Sequence, residues 1–376
     1  MKTPLAGQKF GLDAGDWSET TKYSAVAEEA SKLAYAVQKD LESITLKLIK
    51  DLKTHTGAKN LCFVGGVGLN SVLNGRISRE LGFDKVYIPP YPGDDGIAVG
   101  CCAFGLFSEH GRKVLEQQEQ SPKLWAGPLS PYQGPKYSLT DLQEAMDSSL
   151  PWLLIEEAQS VDEFVHRMVQ EMADGQVIAW WQGRSEAGPR ALGHRSILAD
   201  PRKASMVSFI NSKVKGREAF RPFAPSVLAA EAHEWFEGIP AGSSQGDVSP
   251  YMSITSFVKD DKRDKIPAVT HVDGTSRLQT VTQDSEPLYY ALIKAFFRLT
   301  GVPMVLNTSF NTIKSEPITE SPSDGIRSFL SARGSIEKLF MESKWIISRR
   351  PFPSLDLSSD EELSAVYPRM AVRSCD

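Results

Sequence analysis

Cysteine is scarce in this sequence: four residues in 376, at Cys62, Cys101, Cys102 and Cys375. They lie in apolar or terminal contexts without C-x-x-C spacing, which argues against a disulfide framework or a thiolate zinc site and suits a reducing compartment. Excess positive charge is also missing. A formal net charge of −5 gives no general attraction for nucleic acid or an anionic membrane, so any anion binding must come from local clusters of Arg and Lys. No window holds eighteen uninterrupted apolar residues, and the opening MKTPLAGQKFGLDAGDW has no basic region followed by an apolar run. Secretion and a membrane span are therefore not indicated, and a cytoplasmic location is expected. There is no internal repeat. The composition that remains, 41% hydrophobic and 24% charged, is that of a globular chain large enough for two cores.

Apolar residues from Val26 to Ile49 recur at helical intervals and predict a long amphipathic helix over about 23–56. NLCFVGGVGLN reads as a short buried strand, a glycine turn and a helix, the arrangement in which backbone N–H groups can meet a phosphate. FDKVYIPP predicts another strand, and PGDDGIAVGCCAFGLF a loop with two carboxylates leading into a helix of small residues. This α/β unit ends near residue 108. Residues 109–136, rich in Gln, Ser, Pro and Gly, read as a connection, and a second unit runs over 137–350. Helices at about 161–174, 203–213 and 286–299, strands at 177–181, near 251–258 and in VPMVLNTSFN, and a helix from about Ser321 lack strict βαβ alternation. They predict an α+β unit on a mixed sheet. The tail 351–376 is Pro-, Ser- and acid-rich and is expected to be loosely held.

The densest chemistry lies in GRSEAGPRALGHRS, residues 183–196, where three arginines and three glycines follow an apolar strand. Arg184, Arg190 and Arg195 are expected to emerge from a sheet edge, and guanidinium groups match phosphate bidentately while remaining charged. A solvated basic loop is the competing reading. KGREAFRPFAPS adds Lys215, Arg217 and Arg221, interleaved with Phe220 and Phe223 and closed by prolines, a pattern that suits a rigid pocket for a phosphorylated ligand. NTSFN ends a strand with hydroxyl and amide groups at Asn307, Ser309 and Asn311, and HVDGTSR supplies His271 and Arg277 beside a glycine turn. A plain turn and a structural histidine remain equally open for these two. In GDDG, Asp94 and Asp95 offer oxygen to a hard cation or simply solvate a turn.

In order, GGVGLN, PGDDGIAVG, GRSEAGPRALGHRSILADPR, KGREAFRPFAPSVL, PAVTHVDGTSRLQTV and GVPMVLNTSFN resemble the O-carbamoyltransferases of nodulation-factor and antibiotic biosynthesis, from about residue 25 to 345. The resemblance implies an α/β (α+β) chain: the C-terminal half of an actin-like, nucleotide-binding transfer domain (1–108), then a YrdC-like α+β domain that forms carbamoyl adenylate from carbamoyl phosphate and ATP with Mg2+. It implies catalytic roles for Arg190, Lys215, Arg221, Arg277 and His271, with Arg184, Arg195, Arg217, Asn307, Ser309 and Asn311 holding substrate or nucleotide. Gly65, Gly66 and Asn70 would line the nucleotide site of the transfer domain, and Asp94 would be a metal ligand. The partners it implies are carbamoyl phosphate, ATP and a hydroxyl-bearing small molecule. The family also uses Fe2+ held through His-x-x-x-His, and no such pair occurs among the six histidines. The chain enters the family pattern at the long helix before GGVGLN, which leaves three readings open: a second chain supplies the preceding half-domain, the gene product is truncated, or only carbamoyl activation is kept. A non-catalytic nucleotide-binding or regulatory partner, or a truncated gene product, is the alternative.

Overall fold

The computed structural model describes residues 25–108, 113, 130–239, 248–313 and 316–350. Cys375, the tail from 351 and most of the expected connection lie outside the described residues. The first unit comprises α1 (Ala25–Thr56), β1 (Asn60–Cys62), a 3-10 turn at Gly66–Leu69, α2 (Ser71–Glu80), β2 (Lys85–Tyr87), a second 3-10 turn at Asp94–Gly96 and α3 (Ile97–Phe107). β1 and β2 pair in parallel, Leu61 opposite Val86. The core is small: Ile49 of α1 packs with Leu73 and Ile77 of α2. Glu42, only 1% exposed, ties the two helices through Arg76 at 2.7 Å. Burial raises its pKa, but hydrogen bonds from Gln38, Arg76 and Lys39 outweigh that and hold the carboxyl below its ordinary range.

Much of this unit's apolar surface is open. Leu33, Val37, Ile44 and Leu48 form an exposed stripe along α1, and α3, although almost wholly apolar, has no buried residue. A helix hydrophobic all round is ordinarily a covered one.

The second unit contains α4 (Leu139–Asp147), β3 (Leu153–Glu157), α5 (Val161–Ala173), β4 (Ile178–Trp181), β5 (Arg195–Ala199), α6 (Ser205–Phe209) with a π-turn over Ile210–Val214, β6 (Ala224–Leu228) and α7 (Ala232–Trp235). It continues through β7 (Thr255–Phe257), β8 (Thr275–Arg277), β9 (Gln279–Val281), α8 (Pro287–Thr300), β10 (Met304–Ser309), α9 (Pro322–Ser331), β11 (Lys338–Met341) and β12 (Trp345–Arg349). Eight strands form one mixed sheet in the order β3-β12-β11-β4-β5-β10-β6-β9. The β4/β11 and β6/β9 pairs are parallel and the others antiparallel. β7 and β8 pair separately. The mixed sheet expected of an α+β unit is thus present.

Helix ends follow their local chemistry. Ser138 and Asp141 close a capping box on α4, Ser321 and Asp324 another on α9, and α8 starts with Pro287 and ends at Gly301 in the left-handed region. α5 and α8 pack on each other, as do α4 and α9. Every residue of β4, β5 and β6 is buried, which is how a strand with neighbours on both sides and cover on its faces reads.

One expectation is corrected here. The arginine motif does not leave a sheet edge, because Arg195 opens β5, which lies between β4 and β10. Strands β3, β5, β6, β8, β9, β11 and β12 were not legible, since runs of three to five residues are too short to carry a period that separates a strand from a loop or a helix segment.

The two units touch. On α2, Asn74 donates to the Gly68 and Ser253 carbonyls at 2.7 and 2.9 Å, and Arg79 donates to the Thr255 carbonyl and lies over the Phe257 ring. A Cβ on Gly75 would sit 2.4 Å from the Thr255 oxygen, so only glycine lets α2 approach β7.

Candidate functional site

The loop from Gly183 to His194 joins β4 to β5 and is organised by a carboxylate that sequence reasoning did not single out. Glu186 Oε1 accepts from the backbone N–H groups of Leu192 at 2.7 Å, His194 at 2.8 Å and Arg195 at 3.3 Å. An acid among four basic residues was the available signal. With that hub in place the three arginines diverge. Arg184 is exposed and donates to the Gly134 carbonyl. Arg195 is fully buried, lies 3.7 Å over the Trp181 ring and spends its guanidinium on the carbonyls of Gln182, Gly183, His194 and Glu320. Arg190 alone of the three has no hydrogen bond or ion pair among the described residues, and burial together with the charge of Arg221 lowers its pKa.

The second loop, between the π-turn and β6, is held by Asn211, which is 1% exposed. Its amide donates to the carbonyls of Ala219 and Arg221 and its Oδ1 accepts from Arg217 Nε at 2.8 Å. Arg217 also lies over the Phe223 ring. At the loop's start Lys215 Nζ donates to Asn311 O and Oδ1, each at 2.8 Å, to Ser309 Oγ at 3.2 Å and to the Ser309 carbonyl. Burial and the charges of Arg217 and Arg221 push the Lys215 pKa down, while oxygens crowded around one nitrogen favour the ammonium.

Arg277, at the end of β8, faces the same space. Burial and the charges of Arg190, Arg217 and Arg221 push its guanidinium down to about 9, and its buried Nε has no partner among the described residues. Arg217 is pushed down to about 10 by burial and Arg221. Five cations, Arg190, Lys215, Arg217, Arg221 and Arg277, therefore gather with little acid to balance them: Glu218 stands 3.9 Å from Arg221. Like charges brought together under partial burial cost free energy that only an anion offsets. The arrangement fits a polyanion, with planar donors for phosphate oxygens and the hydroxyl and amides of Ser309 and Asn311 at its edge.

Other expected residues sit beside this cluster in supporting positions. Asn307, buried, donates to the Ala191 carbonyl and to Ser226 and Gln279, which fixes the segment next to Arg190. His271 has both ring nitrogens engaged, at 3.2 Å from Thr275 Oγ1 and 3.3 Å from the Phe223 carbonyl, and burial lowers its pKa.

In the first unit, Gly65 has φ +97 and Gly65 and Gly66 are exposed, while Asn70 uses its side chain to cap α2 at Leu73 and to meet Gln38. Asp94 is exposed at the head of its 3-10 turn, and no group of three His, Cys, Asp or Glu gathers among the described residues. One monodentate carboxylate does not fit an iron ion, which needs about three protein donors.

The N-terminal carbamoyltransferase model matches residues 16–103 and the C-terminal carbamoyltransferase model residues 169–348. The sequence is 39% identical over 337 residues to nodulation protein NolO of Bradyrhizobium diazoefficiens, covering 89% of this chain and 57% of that protein. It is 39% identical over 304 residues to nodulation protein NolNO of Sinorhizobium fredii, covering 81% and 42%. The chain spans about half the length of the curated relatives it matches. Among solved structures, full-length HypF in its phosphate- and nucleotide-bound form aligns at 12% identity and a TM-score of 0.33, over 48% of this chain and 21% of that one, a likeness too low to argue from.

Proposed function

The chain belongs to the carbamoyltransferase family, and from that premise we propose that the cation cluster binds ATP and carbamoyl phosphate, forms carbamoyl adenylate and serves O-carbamoylation of a small-molecule hydroxyl. The observation that carries this reading is the pair Arg190 and Arg277, two partly buried guanidinium groups without an acid partner among the described residues, within reach of three further cations.

The balance of the reaction assigns the work. Water releases carbamate and inorganic phosphate from carbamoyl phosphate. A carbamate oxygen then attacks the α-phosphorus of ATP, forming one P–O bond as the bond to pyrophosphate breaks. The acceptor hydroxyl finally attacks the carbamoyl carbon, loses its proton, and AMP departs. Each step leaves negative charge on the oxygens of a departing phosphate group, and preorganised guanidinium groups stabilise it without reorganisation. Arg190, Arg217, Arg221 and Arg277 are the phosphate donors, with Mg2+ entering as part of the ATP substrate. Lys215 positions Ser309 and Asn311 toward the nucleotide. No step is routed through iron.

A partner polypeptide belongs to the same proposal. The open apolar faces of α1 and α3 are the kind of surface another polypeptide covers. The test is pyrophosphate and inorganic phosphate release by the purified chain given ATP, Mg2+ and carbamoyl phosphate. Release that requires both substrates supports the reading, and nucleotide binding without release favours a non-catalytic role.

A further inference from the structure

Arg277 ends β8, whose strand partner among the described residues is β7, and the two form a ribbon apart from the main sheet. Thr255 stands opposite Arg277 in that ribbon, Ser256 opposite Ser276 and Phe257 opposite Thr275. Beyond Arg277 the chain passes through buried Leu278 into β9, which pairs with β6. The main sheet therefore holds Arg277 from its C-terminal side, and the ribbon holds it from the other. A two-stranded ribbon is marginal by itself and needs a further strand or a helix packed on it. Repulsion from Arg190, Arg217 and Arg221 also presses on Arg277, so its place depends on a backbone that does not yield.

The helix that packs on this ribbon belongs to the first unit. Ser71, Asn74, Gly75 and Arg79 follow one another along α2 at i, i+3, i+4 and i+8 and share one face. The Ser71 carbonyl accepts from Thr255 Oγ1 at 3.3 Å, Asn74 reaches the Ser253 carbonyl, and Gly75 lets the helix close on Thr255. Arg79 completes the face. Its Nη1 donates to the Thr255 carbonyl at 2.5 Å, and its guanidinium stands 5.0 Å from the centre of the Phe257 ring. Both contacts fall on β7, one of them on the residue opposite Arg277. Arg79 is itself exposed, so replacing it opens no cavity.

We propose that Arg79 is a positioning residue for Arg277: by fixing β7 it sets the ribbon that aims Arg277, so the first unit tunes the anion affinity of a cluster whose cations all lie in the second. The inference rests on the nucleotide-binding role proposed above.

The experiment measures ATP binding with Mg2+ by calorimetry on the full chain, as wild type and as Arg79→Met, Arg79→Lys, Arg277→Ala and the double variant Arg79→Met with Arg277→Ala. Thermal melting of each chain sets a working temperature at which all are folded. Arg79→Met keeps the unbranched stem without the donors and is expected to weaken binding about tenfold, within the range for residues that act through a neighbour. Arg79→Lys still presents a donor to the carbonyl and a cation to the ring, and should bind within about twofold of wild type. In the Arg277→Ala background, Arg79→Met is expected to change affinity by less than about twofold, because the contribution that runs through Arg277 is already gone. A loss repeated in full in that background is what a merely structural role produces, and it overturns the inference. Wild-type affinity in Arg79→Met overturns it too, as does a loss in Arg79→Lys equal to that in Arg79→Met. In each of these cases a weakened Arg277→Ala variant leaves the proposed function standing. No ATP binding by the wild-type chain, or no effect of Arg277→Ala alone, overturns the nucleotide reading and the inference together.

Discussion

Gly188 closes onto the carbonyl of Pro90 so tightly that a Cβ on the glycine would lie 2.7 Å from that oxygen and 3.3 Å from the Asp95 carboxylate. Its φ of +97 lies where other L residues are strained. The loop that carries Arg190 is thus seated on the first unit's PGDDG turn, and that turn in turn receives Gly65 N–H at the Pro92 carbonyl at 2.7 Å. Chemistry-bearing loops of both units meet at one place. Gly188→Ala is expected to cost about 1–3 kcal/mol from backbone strain, with the added clash loosening the junction. Chemical denaturation and proteolysis between the units measure both effects.

Arg277→Ala and Arg190→Ala are each expected to lower pyrophosphate release about a hundredfold, the scale of losing one preorganised donor. Arg277→Lys should recover little, because an ammonium cannot make the planar two-point contact. Arg277 is pushed down to about 9, so the charge that holds an anion is complete below that pH and lost as pH rises through it. Nucleotide affinity should therefore fall on the alkaline side, with a bound anion moving the midpoint upward. A pH series of nucleotide binding by calorimetry checks the direction.

Lys215→Met removes the donor that joins Ser309 and Asn311 while keeping the length of the side chain. Partly buried acceptors left unmade cost about 1–3 kcal/mol. The variant is expected to melt at lower temperature and to lose pyrophosphate release; an unchanged release rate would show that the clamp plays no part in positioning the nucleotide.

Glu186 acts through the loop rather than on a ligand. Glu186→Ala leaves up to three backbone N–H groups unpaired, and a loss of stability of about 1–3 kcal/mol is expected. Glu186→Gln keeps an acceptor oxygen and should recover most of it. The discriminating readout is the KM for ATP, which rises in the Ala variant as Arg190 loses its fixed place and returns toward wild type in the Gln variant.

His271 supplies a stability change on the acid side. Burial lowers its pKa, so the unfolded chain takes up the proton first as pH falls below about 6.5. The folded chain gains nothing over that interval, and stability declines until the buried imidazole also titrates. Denaturant midpoints at pH 7.5 and 5.5 should differ less in His271→Asn than in the wild-type chain.

What the residues determined by themselves is the local grammar. The amphipathic period of α1, the strand-turn-helix around GGVGLN and the helices at about 286–299 and from about Ser321 were all legible, because turn conformation and a 3.6-residue period are fixed within a few positions. The cationic motifs were legible too, since five of their residues gather as an uncompensated cluster. What only the tertiary structure decided is which cations remain free. Arg195 and Arg190 are five residues apart in one motif, yet one is consumed by four carbonyls under Trp181 and the other is left bare. Sequence spacing gives each the same charge and reach. The partner of a guanidinium is set by strand order, by the placing of β5 inside the sheet, and by Glu186 gathering three distant amides. Those contacts join residues through space, and no short-range pattern encodes them.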